Sequence, residues 1–372
     1  MSVTIKEVKT KSELKKFVKF PFGLYRGNAY WIPPIISDEV KVMLPETNPA
    51  FEFSDAKFWI AEKDGKIVGR IGAIINKLYN EKMGENIGRF SRPEFIDDQE
   101  VSAALFKTAE KWLQDKSMTK VMGPLGFSNL DTQGLLIEGF DFLPSIASVY
   151  HLPYFQKHIE ALGYQKEIDW VEFRLTVEAI PEKSLRLTDV IKKRYELDVL
   201  SFTSSKEVLK WGDQIFEVLN SAFEDLFAVI QFNDRMKQYY LNKYFKVLNP
   251  RLIKLIINKD KKLVAFIVAG PGLGEAMQKA NGKLFPFGMF HLMKAIKHPK
   301  VIDLLLTGIE PGLQGQGLSA LLISELQKTL LELGVEFTET TGIFETNHKA
   351  IQHWKNYKHI QHKRRRCFVK TL

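Results

Sequence analysis

The feature that most constrains this chain is a weak internal repeat, in which three blocks of the second half follow the order of three blocks in the first. AEKDGKIVGRIGAIIN (61–76) and INKDKKLVAFIVAG (257–270) each set a short charged turn before a run rich in β-branched residues, the pattern of a hairpin. VSAALFKTAEKWLQDKSMTKVMG (101–123) and LSALLISELQKTLLELGVEFTET (318–340) each carry apolar residues at helical spacing and then an extended stretch. YFQKHIEALGYQKEIDWVEFRL (154–175) and HKAIQHWKNYKHIQHKRRRCFV (348–369) each read as a short amphipathic helix, a tyrosine at its end and a closing strand. Hairpin, helix, strand, helix, strand, written twice, implies an α/β fold built in tandem. The boundary is expected where Pro181 and a polar cluster follow the first closing strand, giving one domain over 1–184 and a second over 185–372. Beyond it, 197–204 reads as a strand, 205–226 as a helix capped by Ser204 or Ser205, and 233–246 as a second helix.

A chain of 372 residues is long enough for two such domains, each with its own core. Its charge of +9, from 53 basic against 44 acidic residues, suits an anionic ligand. One cysteine, Cys367, excludes an internal disulfide and a cysteine-built metal site, and the start MSVTIKEVKT lacks an apolar run after a basic stretch. The chain therefore reads as cytoplasmic. No segment approaches the ~18 uninterrupted apolar residues of a membrane span. The eight histidines form no metal-ligand spacing, so no metal is expected. The run KRRR at 363–366 has no nucleic-acid motif beside it and is expected to be a solvated edge strand guarded by charge, with no nucleic-acid partner.

The sharpest local signal is VIDLLLTGIEPGLQGQGLSALLISEL (301–326), an apolar strand, a Pro/Gly-punctuated loop and an amphipathic helix. Its core is Gln314, Gly315, Gln316, Gly317, Leu318 and Ser319. Unpaired N–H groups at a helix start and the helix dipole can hold a pyrophosphate without a lysine, and glycine lets the phosphates approach the main chain. The spacing matches neither a P-loop NTPase nor a Rossmann dinucleotide fingerprint.

The pattern [Gln/Arg]-x-x-Gly-x-[Gly/Ala] between strand and helix, with Pro311 before Gln314, resembles the acyl-CoA-binding motif of the GNAT superfamily of N-acetyltransferases. Ser319 stands where Gly or Ala is usual. Downstream, ETNHKAIQHW (345–354) resembles the superfamily's N-x-x-A-x-x-x-Tyr motif, with Asn347 and Ala350 matching and Trp354 in the tyrosine's place. FIDDQEVSAALF, GPLGFSNLDTQGLLIEGFD and ANGKLFPFG extend the resemblance to a tandem-domain bacterial group that includes ceramide synthase-like proteins. The resemblance implies mixed, mostly antiparallel sheets flanked by helices. It also implies acetyl-CoA or a longer acyl-CoA as donor, and a small-molecule or lipid amine as acceptor. Cofactor contacts would come from the 314–319 loop and Asn347, with Gly308 and Ile309 offering a backbone N–H to the thioester oxygen. Glu345 is the first choice for the base, with Glu336 and Glu339 as rivals. Tyr357 is either the stand-in for the missing phenol or a packing residue, and the thiol can also leave as a thiolate protonated by water.

Aligning VSAALF with LSALLI sets FIDDQE (95–100) opposite GLQGQG (312–317), so Asp97, Asp98 and Glu100 stand where glycine and glutamine stand later. Carboxylates there repel pyrophosphate, and the first half is expected to be degenerate. Its long loop 123–144 offers Asn129, Asp131 or Glu138 to a polar amine head group, or serves as an ordinary connection. KLFPFGMFHLMKAIKHPK (283–300) is expected to be a core-packed helix with a basic end, the other readings being peripheral membrane contact and the lining of an acyl-chain channel. The sequence sets no oligomeric state.

Overall fold

The computed structural model describes residues 2–244 and 248–372, so the end of the helix expected over 233–246 lies outside the described residues. The first half runs β1 (Thr4–Glu7), α1 (Lys11–Leu24), α2 (Ile36–Val42), β2 (Ser54–Lys63), β3 (Lys66–Asn76), α3 (Lys77–Met83), β4 (Ile87–Phe95), α4 (Gln99–Asp115), β5 (Lys120–Gly123), β6 (Leu135–Glu138), α5 (Tyr154–Ala161) and β7 (Gln165–Thr176). The second half begins with α6 (Glu182–Arg194), β8 (Asp198–Ser201), α7 (Ser205–Leu209), α8 (Gly212–Phe223), α9 (Asp234–Tyr244), β9 (Ile253–Ile257) and β10 (Leu263–Pro271). It closes with α10 (Gly274–Ala280), α11 (Gly288–Lys297), β11 (Val301–Ile309), α12 (Leu318–Glu332), β12 (Phe337–Thr340), β13 (Ile343–Phe344), α13 (His348–Trp354) and β14 (His359–Thr371). Ser204 caps α7 by accepting from the Lys206 N–H, and the expected 205–226 helix breaks at Trp211 into α7 and α8.

Among the described residues the strands form one sheet in the order β1-β2-β3-β4-β5-β14-β7-β12-β11-β10-β9-β8, with β6 beside β14 and β13 beside β7. Each half contains one parallel pair, β4 with β5 and β11 with β12, and the other pairings are antiparallel. The closing strands are exchanged. β14, the last strand of the second half, pairs with β5 of the first, while β7 pairs with β12 of the second. β7 and β14 then pair with each other from Leu175↔His359 to Gln165↔Val369. A boundary at 184/185 falls inside α6, and both closing strands sit across it from the half that precedes them. One apolar cluster joins Phe58 and Ile74 of the first half to Ile215 and Phe266 of the second.

The exchange reverses the expectation for KRRR. Far from lying on a solvated edge, Lys363 and Arg365 are buried in the middle of the sheet. Strand alternation sends Lys363 and Arg365 to one face and Arg364 and Arg366 to the other. Arg365 Nε donates to Glu172 at 2.8 Å, and Lys363 Nζ to Glu339 at 3.1 Å. On the opposite face Arg366 Nε and Nη2 grip buried Asp169 at 2.8 and 3.0 Å, with Arg364 Nη1 on the same carboxylate at 3.1 Å. Burial raises Asp169, but Arg366 and Arg364 outweigh it and hold the carboxyl below its ordinary value. Removing the cations would leave buried carboxylates unpaired, at a cost of about 3–5 kcal/mol for each broken pair. Ending the chain at Lys358 is therefore expected to abolish the cooperative thermal transition followed by circular dichroism. A native far-UV spectrum with a sharp melt would contradict the exchanged pairing.

Candidate functional site

The two halves place equivalent loops at equivalent helix starts and finish them differently. In the first, β4 leads to Asp98, which caps α4 by accepting from the Glu100 and Val101 N–H groups at 2.9 and 3.4 Å. Lys63 Nζ pairs with Asp98 at 2.8 Å and Glu100 at 3.1 Å, and His158 Nε2 lies 2.8 Å from Asp97. The helix start is thus occupied by the chain's own carboxylates.

In the second half, β11 leads through a 3-10 turn at Pro311–Leu313 to Gln314, and α12 begins after Gly317. Gly317 caps α12, and among the described residues no side chain accepts from its first turn, which leaves the N–H groups of Leu318, Ser319 and Ala320 without a side-chain cap. Gly315 and Gly317 both take left-handed backbone, at φ +78° and +87°. A Cβ on Gly315 would meet nothing within 4 Å, whereas one on Gly317 would stand 2.6 Å from Ile191 Cδ1 of α6. Gln314 Nε2 donates to the Ile309 carbonyl at 3.2 Å, and Gln316 Nε2 to the Gly312 carbonyl at 2.9 Å, so both glutamines fasten the loop itself. Ser319 follows in the first turn of α12.

Beside this loop β11 and β12 part company. Their parallel register runs from Val301↔Phe337 to Leu304↔Thr340 and stops. Thr341 bridges the fork, its hydroxyl 3.2 and 3.1 Å from the carbonyls of Leu304 and Leu305. The Glu310 N–H bonds back to Val264 on β10, so alternation turns the main-chain groups of Ile309 and Thr307 toward the fork and those of Gly308 toward β10. Gly308 is instead a packing position, where a Cβ would come within 2.4 Å of the Phe266 ring.

At the base of the fork lies a buried ionic cluster. Asp303 of β11 and Glu339 of β12 are register partners and share a face. Burial pushes Asp303 up to about 7, and the Glu339 charge adds to the effect. The Ile146 N–H, from the loop that crosses the joint between the halves, donates to Asp303 at 3.4 Å. Burial also raises Glu339, but His362 and Lys363, with Arg174 beside them, hold it down at about 2. Glu172 accepts from Ser148 at 2.7 Å and from Arg365 at 2.8 Å, and these partners keep it low despite burial. In the first half, Arg89 takes the place of Asp303, third in its strand's parallel register. It is buried, donates to the carbonyl of Gly126 at 3.0 Å, and is lowered to about 10 by burial.

The residues expected to carry the chemistry are dispersed. Glu345 does not stand free at the fork: Lys166 Nζ holds Oε1 at 2.6 Å, Arg364 Nη1 holds Oε2 at 3.2 Å, and the Asp169 N–H adds a contact at 3.2 Å. Tyr357 packs with Trp354, ring centroids 5.9 Å apart, against the cluster of Leu330 and Leu326. It precedes His359, whose register runs through Leu175 and Thr338 to Ile302. That is the closed end of the parallel pair, seven residues or about 23 Å along β11 from Ile309. Burial raises the Tyr357 phenol. Asn347 caps α13, its Oδ1 accepting from the Ala350 N–H at 3.1 Å. Glu336 bonds through its N–H to the Lys300 carbonyl.

The three acceptor candidates do not share one setting either. Asp131 accepts from the Ser128 N–H at 3.1 Å in a turn packed on α9, where Ser128 Oγ lies 2.5 Å from the Tyr240 hydroxyl. Asn129 belongs to the same turn, and its buried Oδ1 has no hydrogen-bond partner among the described residues. Glu138 is exposed on β6 and pairs with Arg364 at 3.2 Å. Among the described residues no group of His, Cys, Asp or Glu is placed to hold a metal, and the His353 side chain lies outside them. Sequence reasoning missed Asp303, although one acid inside the apolar run VIDLLL marks a buried carboxylate.

No protein-family model matches the chain. Protein YghO of Escherichia coli (strain K12) is 32% identical over 349 residues, spanning 91% of this chain and 87% of that protein. The bacterial ceramide synthase of Caulobacter vibrioides is 27% identical over 385 aligned positions, spanning 98% of this chain and 96% of that one. Among solved structures, the tandem GNAT protein from the clavulanic acid biosynthesis pathway shares the fold at a TM-score of 0.58 and 12% identity, covering 100% of this chain and 98% of its own.

Asp303 carries a linkage consequence. Its folded pKa lies above the ordinary 3.8, so the folded state keeps a proton that the unfolded state loses between those values. Stability contributed by this group falls as pH rises toward 7, and the cost is complete above it. Asp303→Asn is expected to melt higher than the parent near pH 8, with the gap narrowing as pH falls below about 7 and closing only near about pH 4, in thermal scans across that range. A constant gap would contradict the assigned protonation.

Proposed function

We propose that this chain, which belongs to the family of Protein YghO and shares the fold of a tandem GNAT protein, transfers an acyl group from a CoA thioester to an amine by direct attack. The observation that carries the reading is the contrast at the two helix starts: uncapped main-chain amides after Gly317, and the Asp98 carboxylate in the other half. The loop from Gln314 to Ser319 holds the donor's pyrophosphate with N–H groups and the α12 dipole. The fork between β11 and β12 admits the thioester arm, and the Ile309 and Thr307 edge faces its carbonyl.

Acyl-CoA supplies an activated carbonyl there. Asp303, poised near neutrality at the base of the fork, accepts the proton lost by the attacking amine, directly or through one water. Glu345 serves the sheet, as its paired oxygens indicate, and Asp303 replaces it as the base. With Tyr357 at the closed end, the departing thiolate takes its proton from solvent. The first half keeps the fold without a donor site and supplies, through its 139–150 loop, the lid over the ionic cluster.

For the acceptor, the name of the Caulobacter relative favours a long-chain amino-alcohol of the sphingoid kind, and a short-chain transfer to a polar amine is the rival. Trp354 in place of the usual phenol favours a second reading, a CoA-binding sensor without turnover.

Gly315→Asp adds a carboxylate where nothing obstructs it, on a residue type that tolerates left-handed backbone. Calorimetry is expected to show CoA affinity falling by at least about tenfold, as like charges repel at close range, with the melting temperature nearly unchanged. Unchanged affinity would remove the donor site. With a panel of thioesters and amines, kcat/KM is expected to rise with pH to a plateau above about 7, and Asp303→Asn to lower kcat by about a hundredfold or more. CoA binding with no turnover of any thioester would establish the sensor instead.

A further inference from the structure

The connection between β10 and β11 differs in kind from its counterpart in the first half. Between β3 and β4 the chain passes through α3 alone, whereas residues 272–300 contain two helices, α10 and α11. α10 is fastened to the first half: Gln278 Nε2 donates to the carbonyls of Ala29 and Trp31 at 2.8 and 3.1 Å, and Gly274 packs on Ile32 and Leu143. α11 lies on α10 and turns inward Gly288, which is buried, and the half-buried Leu292, Ala295 and Ile296.

Its other face overturns the expectation of a core-packed helix. Phe285, Phe287, Phe290 and Met293 are 74, 73, 68 and 57% exposed. Phe290, Met293, Lys294 and Lys297 fall at i, i+3, i+4 and i+7 and form one outward stripe, with Phe285 and Phe287 extending it from the preceding turn. Three phenylalanines this bare in sixteen residues form an apolar patch rather than scattered surface residues.

The charge around the patch has one sign. From Ala276 to Ile302 the sequence contains Lys279, Lys283, Lys294, Lys297 and Lys300 and no aspartate or glutamate. All five lysines are exposed, and none forms an ion pair among the described residues. A protein partner with an apolar patch would satisfy the phenylalanines alone. Aromatic groups flanked by unpaired lysines match a bilayer surface, whose acyl boundary takes the rings while its anionic headgroups meet the ammonium groups.

We propose that the 283–300 segment docks this protein peripherally on an anionic lipid surface. α11 inserts Phe285, Phe287, Phe290 and Met293 at the headgroup boundary, and Lys294, Lys297 and Lys300 contact phosphate. The segment joins β11 at Val301, nine residues or about 30 Å from the donor loop after Ile309, so docking leaves that loop facing water. The inference is independent of the acyl-transfer reading, since vesicle binding consumes no thioester.

Flotation of the full chain with vesicles tests it, comparing phosphatidylcholine alone with vesicles about one-third phosphatidylglycerol. The parent protein is expected to float with the anionic vesicles, to remain behind with the neutral ones, and to be released by salt. Phe285→Ser, Phe287→Ser and Phe290→Ser combined are expected to lower the bound fraction about tenfold, with an unchanged circular dichroism spectrum. Lys294→Gln, Lys297→Gln and Lys300→Gln combined are expected to erase the preference for anionic lipid. Equal flotation of parent and Phe variant, or no flotation of the parent, would overturn the proposal. So would a concentration-dependent dimer that the Phe variant dissolves, which would make a second copy of the chain the occupant.

Discussion

The pairing of β7 with β14 is the constraint on which the rest of this molecule depends. Neither half closes its own sheet; each borrows its last strand from the other, and the two borrowed strands meet in the middle. Their register is fixed chemically as well as by hydrogen bonds. A slip of one residue would carry Lys363 and Arg365 to the face opposite Glu172 and Glu339, and Arg364 and Arg366 away from Asp169, leaving buried charge unpaired on both faces. An apolar strand of equal volume would bury as well, but it would not distinguish one register from the next so sharply.

The same joint builds an asymmetric pair of clefts from a symmetric plan. The first half has a capping carboxylate at its helix start and a buried arginine, Arg89, at the base of its fork. The second has uncapped amides and Asp303 in those places. Each difference changes which charge the cleft accepts. Of the two equivalent helix starts among the described residues, the one after Gly317 lacks a side-chain cap, and beneath its fork lies Asp303, whose carboxyl burial pushes up to about 7. The loop around Ile146 and Ser148, contributed by the first half, seals that carboxyl and so ties the second half's chemistry to its partner.

Local pattern carried much of this in the sequence. Hairpins with charged turns, helices with apolar stripes and the Pro/Gly loop before α12 obey short-range rules, and the elements stand close to where those rules put them. What pattern missed was set by partners distant along the chain. Nothing in 359–371 announces that its neighbours are 120–123 and 165–176, so KRRR read as an edge when each of its cations has a carboxylate waiting. For the same reason Glu345, well placed by motif, is held by Lys166 and Arg364, and Tyr357 lies at the closed end of the sheet. The helix at 288–297 has the composition of a core element, and its seat on α10 leaves its second face exposed among the described residues.

The central claim is that one helix start, and not its twin, grips the donor through main-chain amides. Hydrogen–deuterium exchange of the full chain with and without CoA reads those amides directly. Slowed exchange confined to the peptides spanning 314–321, with the peptide spanning 97–103 unchanged, is the expected result. Protection at 97–103, or none at 314–321 under saturating CoA, would contradict the account.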